Sequence, residues 1–205
     1  MSQKRITSFI DTLSKYPAAK NISNPYHAAE CRNNLREYLL ALIKQPYSGH
    51  LLIGEAPGRR GCAVTGIPFT SNRVLKDNTH QFIVKLRRKL EITGSEREQS
   101  PKIVWEYLEK SKKIPACWNV FPFHSHEGDA RRTNRKPSNL EITNSKHYLF
   151  SIIEILSPSS LIAVGRKAEY ALERWLPQRN YLYVRHPANG GKPDFIRGLK
   201  SAGIK

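Results

Sequence analysis

The sequence predicts an α/β fold, a mainly parallel sheet covered by helices on both faces. Short apolar runs, His50-Leu51-Leu52-Ile53 and Leu161-Ile162-Ala163-Val164, each end in glycine and read as strands buried on both sides. Segments of helical period alternate with them, the pattern of parallel strands joined by crossover helices. Polar and glycine-rich residues crowd the carboxyl ends of the expected strands, where such sheets bind ligands.

The elements follow in order. A short helix is expected over residues 6–16. Asn24-Pro25 caps a second, which runs to about Lys44 with Ala28, Cys31, Leu35, Leu39 and Leu42 on one face. The first strand ends at Gly54, and a segment without periodicity covers 54–71. Ile83, Leu86 and Leu90 predict one helix across about 73–91, then a polar loop over 93–103 and a short helix around 102–111. Ile114 to Val120 is the second strand, followed by a long loop from 121 to 137. Ser138-x-x-Glu141 after Pro137 is a capping box that opens a helix to about Leu156. Leu161 to Gly165 is the third strand, and Ala168, Ala171, Leu172, Trp175 and Leu176 form one face of the helix behind it. Tyr181 to Val184 is the fourth strand, and Asp194 is the expected cap of a last helix.

Composition bounds the function. At 205 residues the chain is expected to be one domain, with residues 1–45 an N-terminal helical segment and 48–200 the core. A chain of this size buries roughly 70% of its unfolded surface. Thirty-four Lys and Arg against 17 Asp and Glu give a net charge of +17. Folding does not need that excess, so it points to a polyanionic partner. No apolar run reaches the roughly 18 residues of a membrane span. Residues 1–5 lead into no apolar signal core. Cys31, Cys62 and Cys117 include no C-x-x-C pair, which argues against a disulfide framework and a four-cysteine metal or iron–sulfur site. A cytoplasmic location is therefore expected. P-loop, G-x-G-x-x-G and G-x-S-x-G motifs are absent.

Chemistry is sought at the strand ends. Glu55, in Gly54-Glu55-Ala56-Pro57-Gly58, can act as a base or hold a water, or simply cap a turn. Asn119 has donors and an acceptor suited to a nucleobase edge, or to neighbouring loop backbone. His186 can donate to a developing anion or be a satisfied structural residue. Phe69 can stack on a base or pin its loop to the core. His124 and His126 raise a metal reading, but no third ligand is placed and none is expected. Arg59, Arg60, Arg131, Arg132, Arg135, Lys136, Arg185 and Lys192 gather beside the same edges and fit a phosphate track better than scattered surface charge.

These motifs, in this order, resemble the uracil-DNA glycosylase superfamily, most closely bacterial branches with a Gly-Glu-Ala-Pro-Gly first motif. Gly54 to Gly58 resembles the water-positioning motif. Gly66-Ile67-Pro68-Phe69 resembles the loop carrying the base-stacking aromatic. Trp118-Asn119-Val120 with Asn134-Arg135-Lys136-Pro137 resembles the base-reading strand end and the Asn-Arg-x-Pro loop. His186-Pro187 resembles the start of the motif that holds the catalytic histidine and leads into the DNA-wedging loop. The resemblance spans about 48–200 and implies a three-layer α/β/α domain with a central four-stranded parallel sheet. It implies Glu55, Ala56 and His186 as catalytic, and Asn119, Phe69 and Gly54 as base-binding. Pro187, Asn189 and Gly190 would join the basic residues on DNA.

Two departures stand out. Branches with this first motif usually carry an iron–sulfur cluster, whose cysteines this chain lacks, so no cluster and no other cofactor is expected. The last motif continues Ala188-Asn189-Gly190-Gly191 where Ser-Pro is common, so the wedge residue is not identified. The implied reaction is hydrolysis of the N-glycosidic bond of a flipped-out uracil or related pyrimidine in DNA, by a monomer, without strand cleavage. Two alternatives stay open: a glycosylase for a damaged or hypermodified base, such as modified cytosine in phage DNA, and a non-catalytic nucleic-acid-binding module.

Overall fold

A computed structural model describes residues 2–44 and 47–204. Its central sheet has four parallel strands in the order β3-β2-β5-β6: β2 (His50–Gly54), β3 (Ala116–Asn119), β5 (Ser160–Val164) and β6 (Tyr181–Val184). A two-residue antiparallel pair, β1 (Ile22–Ser23) with β4 (His124–Ser125), stands apart from it. The helices are α1 (Ser2–Ser14), α2 (Ala29–Lys44), α3 (Cys62–Thr65), α4 (Asn72–Asp77), α5 (Gln81–Arg87) and α6 (Gln99–Leu108). After β4 come α7 (Asn139–Asn144), α8 (Lys146–Leu156), α9 (Arg166–Trp175) and α10 (Lys192–Ser201).

Every residue of β3 is buried, as are all but the first residue of β2 and of β5. Successive strand side chains point to opposite faces, so unbroken burial means that helices cover both. Helix α9 packs on β5 and β2, α8 on β3, and α10 on the edge strand β6. The N-terminal segment belongs to the core: Phe9 lies 5.3 Å from Trp118, and Tyr16 stacks on Phe123 at 3.8 Å.

The three-layer α/β/α architecture and its four-stranded sheet are as the sequence implies, but several elements differ. The expected helix over 73–91 is two helices. Asn78 Oδ1 accepts from the His80 N–H at 2.9 Å and His80 Nδ1 accepts from the Phe82 N–H at 3.0 Å, local bonds that replace the helical ladder. The helix from Ser138 breaks at Ser145, whose hydroxyl reaches the carbonyls of Ile142 (2.9 Å) and Val120 (3.0 Å), tying the helix to the exit of β3. Its capping box forms as expected. The helix placed at 102–111 starts earlier, at Gln99, with Pro101 in its first turn. Asn24 caps a 3-10 turn over Pro25–His27 rather than α2 itself. Asp194 does not cap the last helix: the helix starts at Lys192 after Gly191, three residues earlier than an Asp194 cap would set it, with Pro193 in its first turn, and Asp194 pairs with Arg185 (3.3 Å) and Arg197 (3.1 Å). The long loop over 121–137 contains β4, too short to leave a sequence pattern.

Candidate active site

The register of the sheet builds the site. Gly54 at the end of β2 lies beside Asn119 at the end of β3. The Val120 N–H donates to the Gly54 carbonyl (2.9 Å) and the Phe121 N–H to that of Glu55 (3.0 Å), so the pairing continues past the strands and fixes Glu55 next to β3. Together with the end of β6 and the first turn of α6, these tips enclose a cavity of about 610 Å³.

Glu55, Ala56, Phe69, Asn119 and His186 all line that cavity. Gly54 forms the wall behind two of them: a Cβ there would lie 2.5 Å from Phe69 Cζ and 2.8 Å from Asn119 Oδ1. Only hydrogen at this position leaves the ring and the amide side by side.

Each side chain is held in a defined state. Asn119 is 4% exposed and lines the cavity, and its side-chain amide has no hydrogen-bond partner among the described residues. A buried amide left unpaired toward a cavity is set to bind a polar edge. Phe69 sits at φ +52°, a conformation costing about 1–3 kcal/mol outside glycine. The Trp105 indole N–H holds it there, donating to the Phe69 carbonyl at 3.1 Å. Burial raises the Glu55 carboxyl above its ordinary value, opposed by the charges of Lys136 and Lys167. His186 Nδ1 accepts from the Ala188 N–H at 3.3 Å, which leaves the ring proton on Nε2, 3.5 Å from Ser100 Oγ. Burial lowers the His186 pKa, favouring this neutral form.

The remaining candidates divide. Lys136, Arg135 and Asn189 line the cavity, whereas Arg60, Arg131, Arg132 and Gly190 are exposed and not part of its lining. Arg59 is half-buried, and its N–H donates to Asn134 Oδ1 (3.0 Å), joining the two loops. Pro187 is buried. Arg135 makes a two-pronged contact with Glu141 (2.7 and 3.0 Å) and donates to the Lys136 carbonyl, so it braces its loop. Lys192 pairs with Glu106 at 3.0 Å and Arg185 with Asp194, both in solvent where such pairs exchange readily. His124 donates through Nδ1 to the Pro57 carbonyl (2.9 Å), and His126 bridges the Gly128 carbonyl and Ser23 Oγ. Both stitch loops together, and no group of three potential metal ligands occurs among the described residues. The three cysteines are buried free thiols, with Cys31 pushed up to about 11 and Cys117 to about 12.

Sequence reasoning missed Glu98. It lines the cavity, and its carboxyl fills the space that side chains at Gly58 and Gly61 would take. Burial raises its pKa, while the Arg60 N–H and the charges of Arg59 and Arg60 oppose the rise. Its one sequence signal is Pro101, which marks a helix start just beyond it.

Among the described residues no helix is long and apolar enough to cross a membrane. No curated protein matches the sequence. The fold is similar to the crystal structure of wild-type SMUG2 from Pedobacter heparinus, with a TM-score of 0.71 and 19% identity over 98% of this chain and 96% of that one. The family model described as the Uracil DNA glycosylase superfamily matches residues 42–191. By that match the chain belongs to the uracil-DNA glycosylase superfamily.

Proposed function

We propose that the protein is a monofunctional DNA glycosylase that hydrolyses the N-glycosidic bond of a flipped-out uracil or related pyrimidine and leaves an abasic site. One observation carries this reading: a carboxyl, an unpaired amide, an aromatic ring and an Nε2-protonated imidazole line a single cavity. No purely structural role requires that set in one place. Family membership and the basic surface support DNA as the substrate.

Basic side chains around the mouth hold the phosphates, and the target nucleotide rotates into the cavity. Phe69 stacks on the base and Asn119 pairs with its edge. As the bond from C1′ to the base nitrogen breaks, its electron pair moves onto the base. The His186 Nε2–H donates to a base oxygen and stabilises that anion, a contribution of about 3 kcal/mol for one well-placed donor. Glu55 and the Ala56 backbone hold the water that bonds to C1′, and Glu55 receives its proton. Lys136 is an exposed ammonium at the rim whose charge favours the Glu55 carboxylate. No lysine falls on the matched catalytic positions Glu55, Ala56 and His186, so hydrolysis without strand cleavage is expected.

The test is a set of oligonucleotides bearing uracil, oxidised or hypermodified pyrimidines, and ordinary bases. Breaks that require alkali after incubation, without borohydride-trapped adduct, are expected for at least one non-ordinary base. Salt-sensitive binding with no alkali-labile site on any of them would establish the binding-module reading instead.

A further inference from the structure

At the opposite edge of the sheet from the candidate active site lies a second cavity, of about 420 Å³. Tyr47 and Ile114, which line it, stand just before β2 and β3, at the amino ends of the parallel strands whose carboxyl ends lead to Glu55 and Asn119. Strands of four and five residues at about 3.3 Å each put the two ends roughly 15 Å apart, and no residue lines both cavities. The proposed base excision makes no use of this end of the molecule.

Its lining combines three kinds of group. Lys110, Lys112 and Lys113 are exposed cations. The ion pairs that lysines make among the described residues belong to Lys89, Lys102 and Lys192, and Lys110 acts on Glu109 only at longer range. Glu109 is the one carboxylate of the lining among the described residues, and it is engaged: Thr79 donates to it through its N–H (3.1 Å) and its hydroxyl (2.7 Å). Lysines just past a helix can simply balance its negative pole, but the end of α6 carries only about half an elementary charge. Set against that pole and Glu109 together, the three ammonium groups still leave the cavity positive.

The second group is a buried hydroxyl. Ser111 is 5% exposed, and its Oγ has no partner among the described residues. Its backbone is held on both sides: the N–H donates to the Leu108 carbonyl (2.9 Å), and the carbonyl accepts from His80 Nε2 (2.8 Å). Only the hydroxyl is left over, and a buried polar group without a partner in the wall of a cavity is set to bind one. The third group is apolar, from Leu42, Tyr47, Phe82 and Ile114. The Tyr47 hydroxyl donates to the Leu156 carbonyl at 2.7 Å, so its ring alone is available.

We propose that this cavity is a second binding site, which takes a small phosphate-bearing ligand with a flat or apolar ring; a nucleoside monophosphate is the simplest such compound. The lysines meet the phosphate as point charges, the Ser111 hydroxyl donates to one of its oxygens, and the ring lies against the apolar side. The volume of about 420 Å³ falls within the roughly 300–1,000 Å³ of small-molecule sites, whereas a nucleic-acid strand tracks an open groove. The site binds its ligand whether or not the other cavity excises a base.

The test is calorimetric titration of the full chain with AMP, GMP, CMP and UMP, with their unphosphorylated nucleosides, and with inorganic phosphate. At least one monophosphate should bind saturably at millimolar concentration or below, more tightly than its nucleoside and than phosphate alone. The double variant Lys112→Gln/Lys113→Gln changes only exposed side chains and should weaken that binding by about tenfold or more. Ser111→Ala should weaken it about threefold, the loss of one net hydrogen bond. It should also leave the melting temperature of the free protein unchanged or higher, because the hydroxyl it removes is unpaired there. Asn119→Ala, in the other cavity, should bind the monophosphate as wild type does. No saturable binding of any monophosphate, or full binding by the double lysine variant, would overturn the proposal. Binding lost in Asn119→Ala but kept in the lysine variant would place the compound in the catalytic cavity and overturn it too. A 5′-phosphorylated oligonucleotide that displaces the monophosphate at lower concentration would mean that a DNA end, not a small molecule, occupies the site. A melting temperature lowered by Ser111→Ala, with nucleotide affinity unchanged, would show the hydroxyl to be structural.

Discussion

Gly54→Ala adds one methyl group at the point where the candidate base slot is narrowest. Position 54 is not in the left-handed region, so alanine fits the backbone and the strand should form. The new Cβ would lie 2.5 Å from Phe69 Cζ, about 0.9 Å short of the 3.4 Å at which ordinary contact begins, and 2.8 Å from Asn119 Oδ1. The Phe69 backbone cannot give way easily, because its carbonyl is held by Trp105. The ring and the amide must move by most of an ångström, and displacement of about 1 Å at a reacting centre costs roughly 10²-fold in rate. Overpacking of this kind costs about 1–3 kcal/mol of stability, a fall in melting temperature of several degrees for a chain of this size. Gly54→Ala should therefore remain folded by circular dichroism, melt somewhat earlier, and excise about a hundredfold more slowly in an alkali-cleavage assay. Wild-type kcat in a folded Gly54→Ala protein would refute the claim that Phe69 and Asn119 jointly form the base slot.

Other outcomes follow from the same geometry. His186→Ala and Asn119→Ala should each lower excision by about 10²–10³, as for loss of one transition-state donor, while DNA binding in a gel-shift assay changes little. Because His186 donates as a neutral ring with a lowered pKa, excision should stay level between about pH 7 and 9; a tenfold fall per unit across that range would mean that imidazolium is required. Lys136 and Lys167 lower the Glu55 pKa against burial, so removing both charges should move the acid limb of the pH–rate profile to higher pH, and a shift to lower pH would contradict the role given to Glu55. Gly58→Ala displaces the Glu98 carboxyl, so Gly58→Ala and Glu98→Ala should each slow excision, and the double variant should be no slower than the worse single; independent, multiplying losses would show that the two do not share one contact.

The strands were legible because a parallel strand buried on both faces must be a short apolar run, and Gly54 and Gly165 mark where two of them end. That placed Glu55, Asn119 and His186 at strand tips, and the family resemblance gave them roles; the structure brings all three to one cavity. What stayed hidden depends on contacts across the fold. Ser145 ends a helix by bonding to Val120, 25 residues away, and Asn78 and His80 interrupt an apolar period that looks continuous. Arg135 reads as a phosphate-binding cation until Glu141 is seen against it. Glu98 lies in a stretch with no period, and its carboxyl matters only because two glycines 40 and 37 residues earlier leave room for it.

The most direct test of the central claim is single-turnover release of free base from a uracil-containing or modified-pyrimidine duplex, measured side by side for wild type, His186→Ala and Asn119→Ala. Release by wild type with a loss of two to three orders of magnitude in both variants is the expected result. Equal rates in all three proteins, or no release of any base by wild type, would contradict it.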